Sequence, residues 1–251
     1  MDLFATGLNI LLGLLLGALG GLFGIGGGLI AIPVVGVLFG LDQQMAQGTA
    51  LVMVVPNVLL AIWRYHQRNR IELRHALALG ATSFCFAIAG AAVAVSLDPG
   101  RMRVGFIGFL LALAAYTLLR VLLKPQPGST TLRYSWPWLS VLGAGAGALG
   151  GLFGVGGAVI ATPILTSVFG ASQVVAQGLS LSLAAPSTAV TLFTYANHDQ
   201  VNWALGLPLA LGGLLSISLG VKLAHALPES VLRVLFSVFL VLSAVLLGLK
   251  I

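Results

Sequence analysis

Charged residues are scarce in this chain of 251 residues. Asp, Glu, Lys and Arg together make up 7% of it, whereas 59% is hydrophobic and the mean hydropathy is +1.08. So few charges cannot cover the surface of a soluble globule, and the composition predicts an integral membrane protein in a lipid bilayer. The net charge of +6 does not indicate nucleic-acid binding, because the basic residues lie in short links between apolar runs, where they set membrane topology.

Cysteine is almost absent too. The single cysteine, Cys85, excludes an intramolecular disulfide and a cysteine-rich metal site, and its position inside an apolar run favours a small residue in the core. The four histidines lie near predicted loops without the spacing of metal ligands: His66, His75, His198 and His225. We therefore expect no metal and no cofactor.

The interiors of the apolar runs contain no acidic residue. The six acids of the chain lie in links or at run ends: Asp2, Asp42, Glu72, Asp98, Asp199 and Glu229. This distribution disfavours a carboxylate relay for protons across the membrane, and no nucleophile–base pair indicates an enzyme. Lys and Arg are missing from the middle of the runs as well. An anion inside the membrane would therefore be held by backbone N–H groups and neutral amides.

What the chain does contain is an internal duplication. The segment Gly17–Gly28 returns almost unchanged as Gly147–Ala158, at an offset of 130 residues. The same offset relates further matched positions: Pro33 and Pro163, Ala46-Gln47-Gly48 and Ala176-Gln177-Gly178, and Pro56 and Pro186. The duplication predicts repeat 1 at 1–124, a linker at 125–135 and repeat 2 at 136–251. Duplicated membrane segments of this kind favour a transporter whose substrate site lies between the two halves.

The apolar runs predict an all-α polytopic protein with about 8 to 10 membrane segments. They fall at about 3–22, 29–40, 46–65, 75–96, 103–123, 136–152, 159–170, 174–195, 203–224 and 231–249. Two of them, 29–40 and 159–170, are too short to span a hydrocarbon core of about 30 Å unless the preceding glycines also lie in the membrane. Each repeat therefore has a predicted broken helix, at 20–40 and at 150–170.

The distribution of basic residues favours two inverted repeats. The link 64–74 is the most basic in the chain, whereas its counterpart 197–200 has no Lys or Arg, so the two equivalent links face opposite sides of the membrane. Five crossings per repeat would invert the second copy. Arg101 and Arg103 then fall on the outer side, which favours the alternative of parallel repeats with four full spans each and half-helices that dip into the membrane.

Glycine-rich segments, here named the first break (Gly24–Gly28) and the second break (Gly154–Ala158), each precede a short apolar run. A helix that begins there would offer unpaired N–H groups and a positive dipole end to an anion. The candidate residues are Gly26, Gly27, Gly28, Gly156, Gly157 and Ala158. Close helix packing is the alternative, and it is the favoured explanation for the preceding glycines: Gly13, Gly17, Gly21, Gly143, Gly147 and Gly151.

Gln47 and Gln177 occupy the same position of their repeats and open long apolar runs. Their amides could bind one substrate from two sides without a fixed charge, or could join the two halves by interhelical hydrogen bonds. Tyr65 and Tyr195 also match between the copies. Because they lie at run ends, they are interpreted as members of an interfacial aromatic belt.

The paired Gly-Gly-Leu-Phe-Gly-(Ile/Val)-Gly-Gly segments, each followed by a proline and then by Ala-Gln-Gly, resemble those of the sulfite exporter TauE/SafE family. The resemblance covers nearly the whole chain. It implies export of small sulfur-containing anions, such as sulfite or organosulfonates, across a bacterial inner membrane, and a homo-oligomer is compatible with it. Ala158 stands where the first copy has Gly28, which weakens the equivalence of the two breaks. The alternative function is an anion channel that uses the breaks as a selectivity filter.

Overall fold

The computed structural model describes residues 3–68, 72–122 and 132–248. These ranges form ten helices: α1 (Leu3–Phe23), α2 (Gly28–Leu38), α3 (Gln43–Arg68), α4 (Leu73–Ser96), α5 (Pro99–Leu122), α6 (Trp136–Phe153), α7 (Ala158–Ser167), α8 (Gln173–Asn197), α9 (Trp203–Ala226) and α10 (Glu229–Gly248). Each of the ten predicted apolar runs corresponds to one helix. Most of the predicted linker 125–135 and the acid Asp2 lie outside the described residues.

The prediction of an all-α polytopic membrane protein is confirmed. In the described part of the chain, α1, α3, α4, α5, α8, α9 and α10 are long and apolar enough to cross a bilayer. The other three runs form α6, with 18 residues, and the shorter α2 and α7. One face of α9 has an exposed leucine at every fourth position, as expected of a helix that faces lipid: Leu207, Leu211, Leu215, Leu219 and Leu223.

Two tight parallel helix pairs, α1 with α9 and α6 with α4, depend on glycine. A Cβ added at Gly17 would lie 2.5 Å from the Cα of Gly213, and one added at Gly147 would lie 2.5 Å from the Cα of Ser83. The same close approach recurs one turn before and one turn after each of these glycines. The prediction that these glycines serve close helix packing is therefore confirmed.

Helices α3 and α8 occupy equivalent positions in the two copies, and they run antiparallel. Tyr65 near the end of α3 meets Gln177 near the start of α8, and Tyr195 near the end of α8 meets Gln47 near the start of α3. Equivalent helices of parallel repeats would run in the same direction. An antiparallel pair is the arrangement that inverted repeats require. The inverted repeats, their bounds and their orientation in the bilayer stay predictions.

The expectation that Cys85 lies in the core is wrong, because its side chain is exposed on α4. Helix α4 buries another face, which carries Gly80, Ser83, Ala87 and Gly90. In a membrane protein an apolar run does not distinguish the face that packs from the face that meets lipid, since both are apolar.

Candidate functional site

Both breaks have the same backbone conformation. Three glycines in each have positive φ angles: 66°, 69° and 94° at Gly24, Gly26 and Gly27, and 67°, 71° and 73° at Gly154, Gly156 and Gly157. Only glycine adopts this region readily, so the sequence Gly-x-Gly-Gly is a backbone requirement. It ends α1 and α6 and restarts the chain as α2 and α7.

Each break leaves backbone donors at the start of a short helix. The carbonyl of Gly27 accepts hydrogen bonds from the N–H groups of Ile30 and Ala31, as the carbonyl of Gly157 does at the start of α7. Among the described residues, the N–H groups of Gly28 and Leu29 have no hydrogen-bond acceptor. The same is true of the N–H groups of Ala158 and Val159, the first two residues of α7. These groups lie at the positive end of a helix dipole, so they favour an anion.

The two breaks meet each other at the contact between the repeats. A Cβ added at Gly28 would lie 3.7 Å from the carbonyl oxygen of Gly154 and 3.9 Å from the Cα of Val155. Each break is also tied to its own long helix, because Asn57 donates to the carbonyl of Gly26 at 3.5 Å and the equivalent Ser187 donates to the carbonyl of Gly156 at 2.9 Å. The predicted glycines are therefore buried where the two breaks meet.

Gln177 joins repeat 2 to the first break. Its side chain packs on Gly24, where an added Cβ would lie 2.7 Å from the Cβ of Gln177. Its Nε2 donates to the carbonyl of Leu22 at 3.3 Å, and its Oε1 accepts from the hydroxyl of Tyr65 at 2.9 Å. Both the oxygen and the nitrogen of this buried amide therefore form hydrogen bonds with residues of repeat 1.

Gln47 makes the equivalent contact with the second break, but only one end of its amide has a partner. Its side chain packs on Gly154, and its Oε1 accepts from the hydroxyl of Tyr195 at 2.6 Å. Its Nε2 is buried and has no acceptor among the described residues. Tyr195 therefore holds this amide in position while its donor nitrogen lacks a protein acceptor among the described residues.

The structure brings together most of what the sequence predicted and adds two tyrosines. Gln47 and Gln177 reach the breaks, although the glycines that they touch are Gly154 and Gly24. The interpretation of Tyr65 and Tyr195 as interfacial residues is wrong, because both are fully buried and join the repeats through hydrogen bonds. Their match at the offset of 130 was the signal for this role, and their position at the run ends concealed it.

The described residues include no group of three His, Cys, Asp or Glu that could hold a metal ion. The ring of His225 lies 5.0 Å from that of Tyr65. The arrangement therefore offers neutral donors in an apolar, buried environment.

Comparison with known proteins gives one family and several relatives. The family model described as sulfite exporter TauE/SafE matches residues 9–247. A probable membrane transporter protein of Xylella fastidiosa is 29% identical over 224 residues, which cover 88% of this chain and 84% of the relative. A probable membrane transporter protein of Methanocaldococcus jannaschii is 28% identical over 248 residues, with 92% and 90% covered. A third, from Bacillus subtilis, is 23% identical, with 93% of both chains covered.

Proposed function

The chain belongs to the sulfite exporter TauE/SafE family, and on this premise we propose that it carries a small sulfur-containing anion, sulfite or a short organosulfonate, across the bacterial inner membrane. The seven long apolar helices and the relatives named as probable membrane transporters support membrane transport as the activity. The choice of a sulfur anion comes from the family name.

The observation that carries this proposal is the unpaired, buried Nε2 of Gln47 at the contact between the two repeats. A donor without an acceptor in an apolar environment is unfavourable, by about 1–3 kcal/mol, unless a ligand completes it. The hydroxyl of Tyr195 donates to the Oε1 of Gln47, which fixes the orientation of the amide and leaves its Nε2 as the donor without an acceptor among the described residues. A donor in an apolar environment selects for an anion and against a cation.

The site that we propose holds its cargo without a fixed positive charge. The backbone N–H groups at the starts of α2 and α7 and the amide of Gln47 would share the anion, whereas the amide of Gln177 is already bonded at both ends. Rocking of one repeat against the other would open the site to each side in turn. Neutral donors bind weakly enough to release the cargo. The inside-negative potential favours outward movement of a monovalent anion by about 2.3 kcal/mol per 100 mV, which can drive export without a coupling ion.

Flux through the purified protein in liposomes tests this function. The anions are sulfite, sulfate, thiosulfate, sulfoacetate, taurine and acetate, with the membrane potential and the pH gradient imposed separately. We expect saturable, potential-driven flux of one sulfur oxyanion that does not respond to the pH gradient. Flux that does not saturate would favour the channel, flux that follows only the pH gradient would indicate proton coupling, and no flux of any anion would contradict the proposal.

A further inference from the structure

A second unpaired amide donor lies one helical turn before Gln47. Gln43, the first residue of α3, is only 2% exposed, and its Nε2 has no acceptor among the described residues. Gln47 is 0% exposed and has the same unpaired Nε2. Residues four apart on a helix lie on the same face, so both unpaired donors belong to one side of α3.

The spacing of these two glutamines suits one small oxyanion. The Cβ atoms of residues four apart in a helix are about 5–6 Å apart, a distance that two amide side chains can close around a shared ligand. An oxyanion has several acceptor oxygens and can accept from both Nε2 groups at once. The hydrogen bonds would be charge-assisted, which makes them stronger than those between neutral groups.

Neighbouring and equivalent glutamines do not share this property. Gln44, next in sequence and also buried, donates through its Nε2 to the carbonyls of Leu97 at 2.7 Å and Ala94 at 3.3 Å, and so ties α3 to the end of α4. Gln177, the counterpart of Gln47 in repeat 2, donates to Leu22. In the part of the chain that the structure describes, the buried side-chain amide nitrogens without a partner are therefore those of Gln43 and Gln47.

We propose that Gln43 and Gln47 together form the anion-binding site, with Gln43 as the outer donor towards the start of α3 and Gln47 as the inner donor beside the second break. Tyr195 is the positioning residue of the inner donor, because its hydroxyl fixes the amide of Gln47. Gln177 joins the repeats and does not bind the cargo. This inference rests on the proposed function and narrows it to one face of one helix.

Thermal unfolding of the purified full-length chain, with and without millimolar sulfite, tests the site directly, because a ligand that binds the folded state raises the melting temperature. We expect sulfite to raise the melting temperature of the native chain. The variants Gln43→Met and Gln47→Met, which keep the length of the side chain, should lose this shift and raise the KM for sulfite flux at least about tenfold, as expected for loss of a hydrogen bond to a charged group.

The matched controls are Gln44→Met and Gln177→Met. Both should melt at lower temperature, since they lose structural hydrogen bonds, but should keep the sulfite shift and a KM within about threefold of the native value. If Gln43→Met does not fold, Gln43→Glu keeps the shape of the side chain and should abolish the shift by repelling the anion.

The outcomes separate this site from the function itself. If a folded Gln43 variant has the native KM and the native rise in melting temperature with sulfite, the two-donor site is overturned. The proposal that the protein is a transporter would still stand. If Gln177→Met loses as much sulfite binding as the Gln43 and Gln47 variants, the assignment of the site to the Gln43 and Gln47 face of α3 would be overturned. A native chain with neither a sulfite shift nor flux of any anion would contradict the proposed function, and this inference with it.

Discussion

The first and second breaks have the same backbone but different side-chain surroundings. Both turn through three glycines with positive φ angles, and both restart as a short apolar helix. Around the first break lie Val54, Val58 and Asn57, whereas the equivalent positions around the second break are Ala184, Thr188 and Ser187. Asn57 donates to the carbonyl of Gly26 in the first break at 3.5 Å, and Ser187 donates to the carbonyl of Gly156 in the second at 2.9 Å.

This difference indicates which features the duplication keeps and which it changes. The turn depends on φ angles that only glycine adopts at low cost, so both copies retain glycine at the same three positions. The neighbouring side chains only have to fill space and satisfy polar groups, which several residue types can do. The shared architecture therefore lies in the backbone, and the chemical difference between the halves lies in the side chains.

The largest expected difference between the two breaks is the loss of stability when their third glycine, Gly27 or Gly157, is replaced by alanine. A methyl group at Gly157 would collide with the backbone carbonyl of Ala146, whereas one at Gly27 would lie 2.9 Å from the carbonyl oxygen of Leu16 and 3.0 Å from the flexible end of Met53. In both variants the positive φ angle adds backbone strain to these contacts. We therefore expect Gly157→Ala to lower the free energy of unfolding by at least about 3 kcal/mol and Gly27→Ala by about 2 kcal/mol.

Thermal unfolding of the purified variants measures this order, with Gly145→Ala as the control. Gly145 lies in α6 and an added Cβ there has no neighbour within 4 Å, so this substitution should be neutral or slightly stabilising. Stability of Gly157→Ala equal to that of the control would contradict the backbone requirement.

A smaller effect is expected at the buried tyrosines. Tyr195→Phe removes the only partner of the Gln47 side chain among the described residues, whereas Tyr65→Phe leaves Gln177 its bond to Leu22. Each variant should lose about 1–3 kcal/mol of stability. Tyr195→Phe should also reduce sulfite flux several-fold more than Tyr65→Phe, because it frees the amide that we place at the cargo. Equal flux in the two variants would remove this distinction between the halves.

The smallest effect tests whether the first break can be converted to the second. Gly28 has no positive φ, and its nearest obstacle is the side chain of Val54 at 2.9 Å, so Gly28→Ala should cost about 1 kcal/mol. Repeat 2 has alanine at both equivalent positions, Ala158 and Ala184. In a double-mutant cycle, Gly28→Ala and Val54→Ala should therefore couple favourably by at least about 0.5 kcal/mol. Additive losses would show that the two breaks differ beyond this contact.

Much of the fold could be predicted from the sequence. The ten apolar runs predict the ten helices of the described residues, and Gly-x-Gly-Gly predicts the two breaks, because helix length and glycine dihedral angles are local properties. The exposed face of Cys85 could not be found, since lipid and core are both apolar.

The site could be predicted only in part. Gln47 and Gln177 stood out as matched polar residues in apolar runs, and they do reach the breaks. Tyr65 and Tyr195 are predicted at the membrane interface because they lie at run ends. Their partners could not be identified from the sequence, because these lie 112 and 148 residues away, across antiparallel helices. The unequal hydrogen bonding of the two glutamines could not be predicted, because the residue type is the same in both repeats and the difference depends on the three-dimensional contacts of each amide.

The most direct test of the central claim, that cargo passes between the two repeats, is a reversible cross-link between the breaks. Cys85→Ser removes the native thiol at an exposed position and should be neutral within about 0.5 kcal/mol. In that background, cysteines at Gly28 and Val155 are close enough to form a disulfide. We expect oxidation to join the breaks and reduce sulfite flux in liposomes at least about tenfold, with full recovery on reduction, because the repeats must separate for the cargo to pass. Undiminished flux through a fully oxidised protein would contradict this route.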